Sequence, residues 1–121
     1  MKEDIRDRWA DALESDEFKQ GDGALYRIEG KKYCCLGVLC ELYVRDGRGE
    51  WEDNGTGDMH LYSEGAILPD AVVEWSDLDS NDPYVKHANT MGLQVRNPLT
   101  HLNDATYMDF KEIAALIRQQ L

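Results

Sequence analysis

The ten positions from Cys35 to Val44 (Cys-Leu-Gly-Val-Leu-Cys-Glu-Leu-Tyr-Val) carry one charged side chain, Glu41. Leucine, cysteine and valine fall on every side of this run, so it has to be buried all round rather than along one stripe. Its length predicts a central helix around which the rest of the chain packs; a strand is the alternative. Gly37 costs about 1 kcal/mol relative to alanine in a helix interior, so its presence there predicts the close approach of another backbone. Asp46-Gly47-Arg48-Gly49 ends the run.

The flanking segments supply the partners. Ile5, Trp9 and Leu13 recur every fourth position with acids and arginines between them, an amphipathic first helix whose acids Glu3, Asp4 and Asp7 gather at its positive end. Gln20-Gly21-Asp22-Gly23 breaks that pattern, and Ala24–Ile28 followed by Glu29-Gly30-Lys31-Lys32 and Tyr33-Cys34 reads as a β-hairpin on a tight glycine turn. An irregular region with one or two short strands is expected from Trp51 to Tyr62. Leu68–Trp75 predicts a short helix with Pro69 at its first position, presenting Val72 and Trp75 to the core. From Asp77 to Pro98 the polar residues and prolines predict a loop-rich connection, with Tyr84-Val85 and Leu93–Val95 as strand fragments. Asp109 and Glu112 form a capping box, and Phe110, Ile113, Ala114, Ile117 and Leu121 draw one apolar face, so a closing helix is expected to cover the Cys-rich one. These elements predict a single α+β domain over residues 1–121, with three main helices and a small antiparallel sheet. A mostly-α fold with a minor hairpin is the alternative.

With 42% hydrophobic and 31% charged residues in 121, the composition is globular and offers no run long enough to span a bilayer. Met1-Lys2-Glu3-Asp4 opens a charged stretch unlike a secretory signal, so a cytoplasmic location is expected. Cys34, Cys35 and Cys40 are odd in number and crowded into seven positions, which fits a reducing compartment better than a disulfide framework.

Charge narrows the function. The formal charge of −11 repels phosphate backbones and argues against direct nucleic-acid binding. Between Gly49 and Val85 there is no Lys or Arg but ten acids. Such a segment reads either as a solvated surface or as a docking face for a basic protein; for the second, Asp53, Asp58, Asp77, Asp79 and Asp82 are the candidate binding residues. A small anionic ligand would instead be stacked and clasped by Tyr26, Trp51 and Trp75 with Arg27, Lys32 and Arg96.

Reaction chemistry finds less support. A thiolate nucleophile needs a lowered pKa, which a helix start beside Lys31 and Lys32 would favour, with His60, His87 or His101 as base; the competing reading is that the cysteines are core. Asp77-x-Asp79-x-Asn81 opens like a calcium loop, but its sixth position is Asp82, Pro83 follows, and its twelfth is Ala88. Phosphate-cradling, dinucleotide, zincin and nucleophile-elbow motifs are absent from the sequence. No catalytic residue, metal or cofactor is therefore assigned, and homo-oligomerisation stays open.

The runs Tyr33–Tyr43 and Leu102–Ile117, with Trp9-Ala10-Asp11-Ala12-Leu13 and Leu68-Pro69-x-x-Val72-x-x-Trp75, resemble a group of small uncharacterised proteins of tailed bacteriophages and prophages. The likeness spans nearly the whole chain, and Cys34-Cys35-Leu36-Gly37-Val38-Leu39-Cys40 is its most specific part. The chain departs from the group's pattern at Glu41, where aspartate is common, and in an Asp/Asn-rich insertion from Asp77 to Asn89. The resemblance brings no activity and no catalytic residues; it implies provenance, in which small acidic proteins often act by binding a host factor, including defence machinery. The expected function is thus non-catalytic binding that inhibits a host protein through the acidic face. The alternatives are sequestration of an anionic nucleotide signal in an aromatic and Arg/Lys pocket, and a cysteine-dependent enzyme.

Overall fold

The computed structural model describes residues 1–106 and 108–121. In chain order they form α1 (Glu3–Glu14), β1 (Lys19–Gln20), β2 (Tyr26–Arg27), β3 (Lys32–Tyr33), α2 (Cys35–Arg45), β4 (Glu52–Asp53), β5 (Asp58–His60), α3 (Asp70–Ser76), β6 (Tyr84–Ala88), β7 (Gln94–Pro98), α4 (Leu99–Asp104) and α5 (Phe110–Gln120). The architecture is α+β, as the sequence predicts.

The apolar run is α2, and Cys35 through Cys40 are buried without a gap, together with Leu42 and Tyr43. α1, α3 and α4 pack on it. Trp9 of α1 is fully buried, and its indole N–H donates to the Cys35 carbonyl at 2.9 Å, so the largest side chain of the core leaves no orphan donor. The backbone foreseen beside Gly37 is that of Leu25: a Cβ built on Gly37 would stand 2.6 Å from the Leu25 carbonyl carbon and overlap its oxygen. That carbonyl accepts from Cys34 N–H at 3.3 Å, tying the hairpin to the start of α2.

The hairpin forms with Tyr26 opposite Tyr33 and Arg27 opposite Lys32. The sheet around it has the order β1-β3-β2-β5-β4 and is mixed: β1 runs parallel to β3, which corrects the expectation of a purely antiparallel sheet. The parallel pair arises because Lys19–Gln20 extends alongside β3 before Gly21, where the sequence shows only a break. Pro69 stands one position earlier than expected, as the N-cap of α3, where its extended ψ of 152° precedes the helical residues. Val72 is buried and Trp75 half-buried, as expected.

Two expectations fail in the last third of the chain. The connection expected to be loop-rich holds the longest strands of the fold, β6 and β7, paired over five residues each. β6 alternates outward Tyr84, Lys86 and Ala88 with inward Val85 and His87, and the carboxamide of Gln120 satisfies both the N–H and the C=O of Lys86, closing the ribbon's outer edge. α4 follows directly. The capping box of α5 is present, yet α5 packs chiefly along α1 and β6 rather than over the Cys-rich helix, whose remaining side is taken by α4. Arg118 of α5 forms ion pairs with Asp7, Asp11 and Glu14 of α1, and Lys111 with Asp16, so the two helices run antiparallel. Among the described residues no helix is long and apolar enough to cross a membrane.

Candidate functional site

Among the described residues only Asp58, of the ten acids of the cation-free segment, is ion-paired, to Arg27 at 3.5 Å. Asp53 and Asp58 lie on β4 and β5, whereas Asp77 and Asp79 are exposed beyond α3, Asp77 closing that helix in a left-handed conformation with φ of 58°. Asp82 does not face outward as a docking residue would: its carboxylate accepts from the N–H and hydroxyl of Thr100 and so caps α4, whose N-cap Pro98 has no side chain to do it.

Within this segment one turn holds its backbone against an intrinsic preference. Leu61 and Glu64 exchange two backbone hydrogen bonds, of 2.9 and 3.0 Å, and between them Tyr62 and Ser63 have φ of 50° and 68°. Consecutive left-handed residues in such a turn normally call for Asn-Gly, and each L-residue with a Cβ costs about 1–2 kcal/mol there. The surroundings that hold Tyr62 in this state are visible: its hydroxyl donates to the Arg48 carbonyl at 3.0 Å and meets the Tyr43 hydroxyl at 2.9 Å. Its ring stands edge-on to Tyr43, which stands edge-on to Trp75 on α3. Tyr62 is nevertheless 48% exposed, and with Glu64, Pro69, Asp70 and Ala71 it lines a hollow of ≈ 240 Å³.

An aromatic ring and two carboxylates around a small hollow have the chemistry to take one cationic side chain, through ion pairing and cation–π attraction. The hollow is too small for a nucleotide. Asp70 is oriented by the Asn81 amide, which donates to it at 2.8 Å and to the Leu68 carbonyl at 2.7 Å. Neither Glu64 nor Asp70 has a cationic partner among the described residues. Sequence reasoning did not bring these three residues together; the count of acids included Glu64 and Asp70, but the turn that presents Tyr62 leaves no sequence signal.

The six residues expected to clasp a nucleotide do not converge. Tyr26 stacks on Tyr33 at 4.3 Å, with Trp51 edge-on at 5.4 Å. Arg27 and Lys32 succeed and precede those tyrosines in their strands, so the pleat sends them to the opposite face of the sheet. Trp75 belongs to the Tyr43–Tyr62 series, and Arg96 lies on β7 over the Tyr84 ring at 5.7 Å. A pocket with aromatic walls and a cationic clasp is therefore not what these positions build.

The cysteines are core. All three are buried free thiols; the Cys34 sulfur accepts from Gly37 N–H at 3.4 Å as the N-cap of α2. Burial outweighs that hydrogen bond and pushes the Cys34 thiol up to about 12, and it raises Cys35 and Cys40 as well. At pH 8 the folded chain thus holds about a thousandfold less Cys34 thiolate than the unfolded one, and iodoacetamide is expected to label none of the three until denaturant is added. The same shift sets a pH dependence. The unfolded thiols ionise near 9 while the folded Cys34 stays neutral to about 12, so the contribution of this thiol to stability is flat below about pH 8 and falls between those values. Native-state labelling at the denatured rate would contradict this placement.

No curated protein and no solved structure matches the chain. One family model, described as Domain of unknown function (DUF8296), matches residues 1–121, and the chain belongs to that family.

Proposed function

We propose that the protein is a non-catalytic binding module that captures a basic protein, with the Tyr62–Glu64–Asp70 hollow receiving a lysine or arginine side chain of the partner. The observation that carries this reading is the left-handed Tyr62-Ser63 turn, which holds an exposed ring beside two unpaired carboxylates in a segment without a single cation. Strain of this kind persists where the surroundings impose it, and it clusters at binding surfaces. The field of the surrounding acids speeds the encounter, and the hollow supplies the local recognition. The likeness to phage proteins makes a host factor, bound in the cytoplasm and inhibited by occlusion, the partner class we favour.

Binding of a fluorescent arginine-rich peptide, followed by anisotropy at low and at near-physiological salt, tests the hollow against bulk charge. Glu64→Gln and Asp70→Asn, together with the uncharged change Tyr62→Leu, are expected to weaken binding about tenfold, the cost of one lost charge-assisted contact. The distant pair Glu3→Gln and Asp4→Gln removes the same charge and should change affinity less than twofold. Equal losses in the two sets would leave only non-specific attraction and overturn the site.

A further inference from the structure

On the strands next to β5 of the acidic segment, the sheet register gathers positive charge. Lys19 lies opposite Lys32 across β1 and β3, and Lys32 lies opposite Arg27 across β3 and β2. Neighbouring strands stand about 4.8 Å apart, so three cations form one row across three strands, an arrangement in which like charges directly opposite repel. The row is conspicuous in a chain with 13 basic and 24 acidic side chains. Repulsion could be relieved by carboxylates, but only Arg27 has one, Asp58 at 3.5 Å, and neither Lys19 nor Lys32 is ion-paired among the described residues.

All three cations line one cleft of ≈ 730 Å³ that Asn103 of α4 and Asp109 line from the other side. Its floor is rigid. The Gln20 amide donates to Asn103 Oδ1 and the Met108 carbonyl and accepts from Phe110 N–H, while Asn103 donates to the Gly21 carbonyl. Two glycines make room for Lys32: a Cβ on Gly21 would stand 2.7 Å from Lys32 Cβ, and one on Gly30 would stand 3.3 Å from Lys32 Cε. The lysine stem is thereby laid along the cleft wall instead of extending into solvent, and Lys32 is half-buried whereas Lys19 and Arg27 are exposed. Among the described residues no aromatic ring lines the cleft. The acids of the cleft are Asp22 and Glu29, both exposed on loops, and Asp109, whose carboxylate is engaged by Glu112 N–H in the capping box.

We infer that this cleft binds a small polyanion through a terminal oligophosphate group seated on the Lys19–Lys32–Arg27 row. Three cations spaced by the strand repeat match a charge-dense group with several oxygens, and the cleft volume lies within the usual range for small-ligand sites. The acids at the rim disfavour a uniformly charged polymer and leave room for a ligand whose negative charge is concentrated at one end. Recognition falls on the phosphates because the cations of the cleft all sit in this one row.

Calorimetry with inorganic pyrophosphate on the full chain tests the site. The wild-type chain should bind it, with affinity falling as salt rises. Lys32→Met keeps the stem over Gly21 and Gly30 but removes the charge, and is expected to weaken binding at least tenfold; Lys19→Met should weaken it severalfold. Lys31→Met carries the same charge change one residue away, outside the cleft, and should bind as the wild type does. ATP titrated in parallel distinguishes the sources: equal affinity assigns the phosphate tail of a nucleotide, and exclusion of ATP assigns the free anion. Absence of pyrophosphate binding, or equal losses in Lys31→Met and Lys32→Met with unchanged melting temperatures, would overturn the assignment. Neither result depends on the hollow at Tyr62.

Discussion

Gly37→Ala is expected to destabilise the protein by about 3 kcal/mol or more, a large share of its stability, although helix propensity alone predicts the opposite. In a helix interior alanine is favoured over glycine by about 1 kcal/mol. Against that gain stands the Leu25 main chain, whose carbonyl oxygen already occupies the space a Cβ would need and whose Cα lies 3.0 Å from it. The obstacle is backbone, held by the Cys34 N–H bond and flanked by the hairpin, so no side-chain rotation relieves it. Overpacking in a well-filled core typically costs about 1–3 kcal/mol, and contact with a fixed carbonyl belongs at or beyond the top of that range. Most single domains have only about 5–15 kcal/mol to lose. Urea denaturation followed by tryptophan fluorescence measures the difference, and a variant as stable as the wild type would show that Leu25 and α2 are not in contact as described.

The same glycine marks how far the sequence could be read. The all-round apolar run announces α2 and its need for a neighbouring backbone, because burial and backbone bulk are properties of the residues themselves. α1 and α5 are legible for a similar reason: Trp9, Ile113 and Ile117 repeat at helical spacing, and Asp109 with Glu112 signs a helix start. α4 is not legible. It has only six residues, follows Pro98, and takes its cap from Asp82, sixteen positions before Pro98. The β1–β3 pairing is non-local in the same sense, and it alone adds Lys19 to the Lys32–Arg27 pair of the hairpin. Tyr62 and Glu64 are read only as an aromatic and an acid until the left-handed turn joins them, since neither Tyr nor Ser signals positive φ.

The Cys-rich run and the Leu102-Asn103-Asp104 turn of α4 form one structural device, which gives the second large effect. Asn103, at the centre of Leu102-Asn103-Asp104, is 5% exposed. Its oxygen accepts from Cys35 N–H at 3.2 Å and from Gln20, and its nitrogen donates to Gly21 O and Asp104 at 2.8 Å. It thus caps the Cys-rich helix and fixes the strand that precedes Gly21. Asn103→Ala orphans the Cys35 N–H and the Gly21 carbonyl, at about 1–3 kcal/mol each, so a loss of about 2–6 kcal/mol is expected at any pH.

Asn103→Asp separates capping from mere filling. The carboxylate still accepts from Cys35 and Gln20 but cannot donate to Gly21 O, and it places a buried charge against Asp104. Burial and the like charge both raise its pKa in the folded state above the unfolded value of about 4. A carboxyl raised on folding destabilises the fold progressively as pH climbs through that unfolded value. The deficit of Asn103→Asp relative to wild type should therefore be small near pH 3 and grow toward neutrality, while that of Asn103→Ala stays constant. Parallel urea titrations at the two pH values decide it. Equal, pH-independent deficits would mean that Asn103 only fills space, and the link it makes between the Cys-rich helix and the cleft floor would then have to be carried by Gln20 alone.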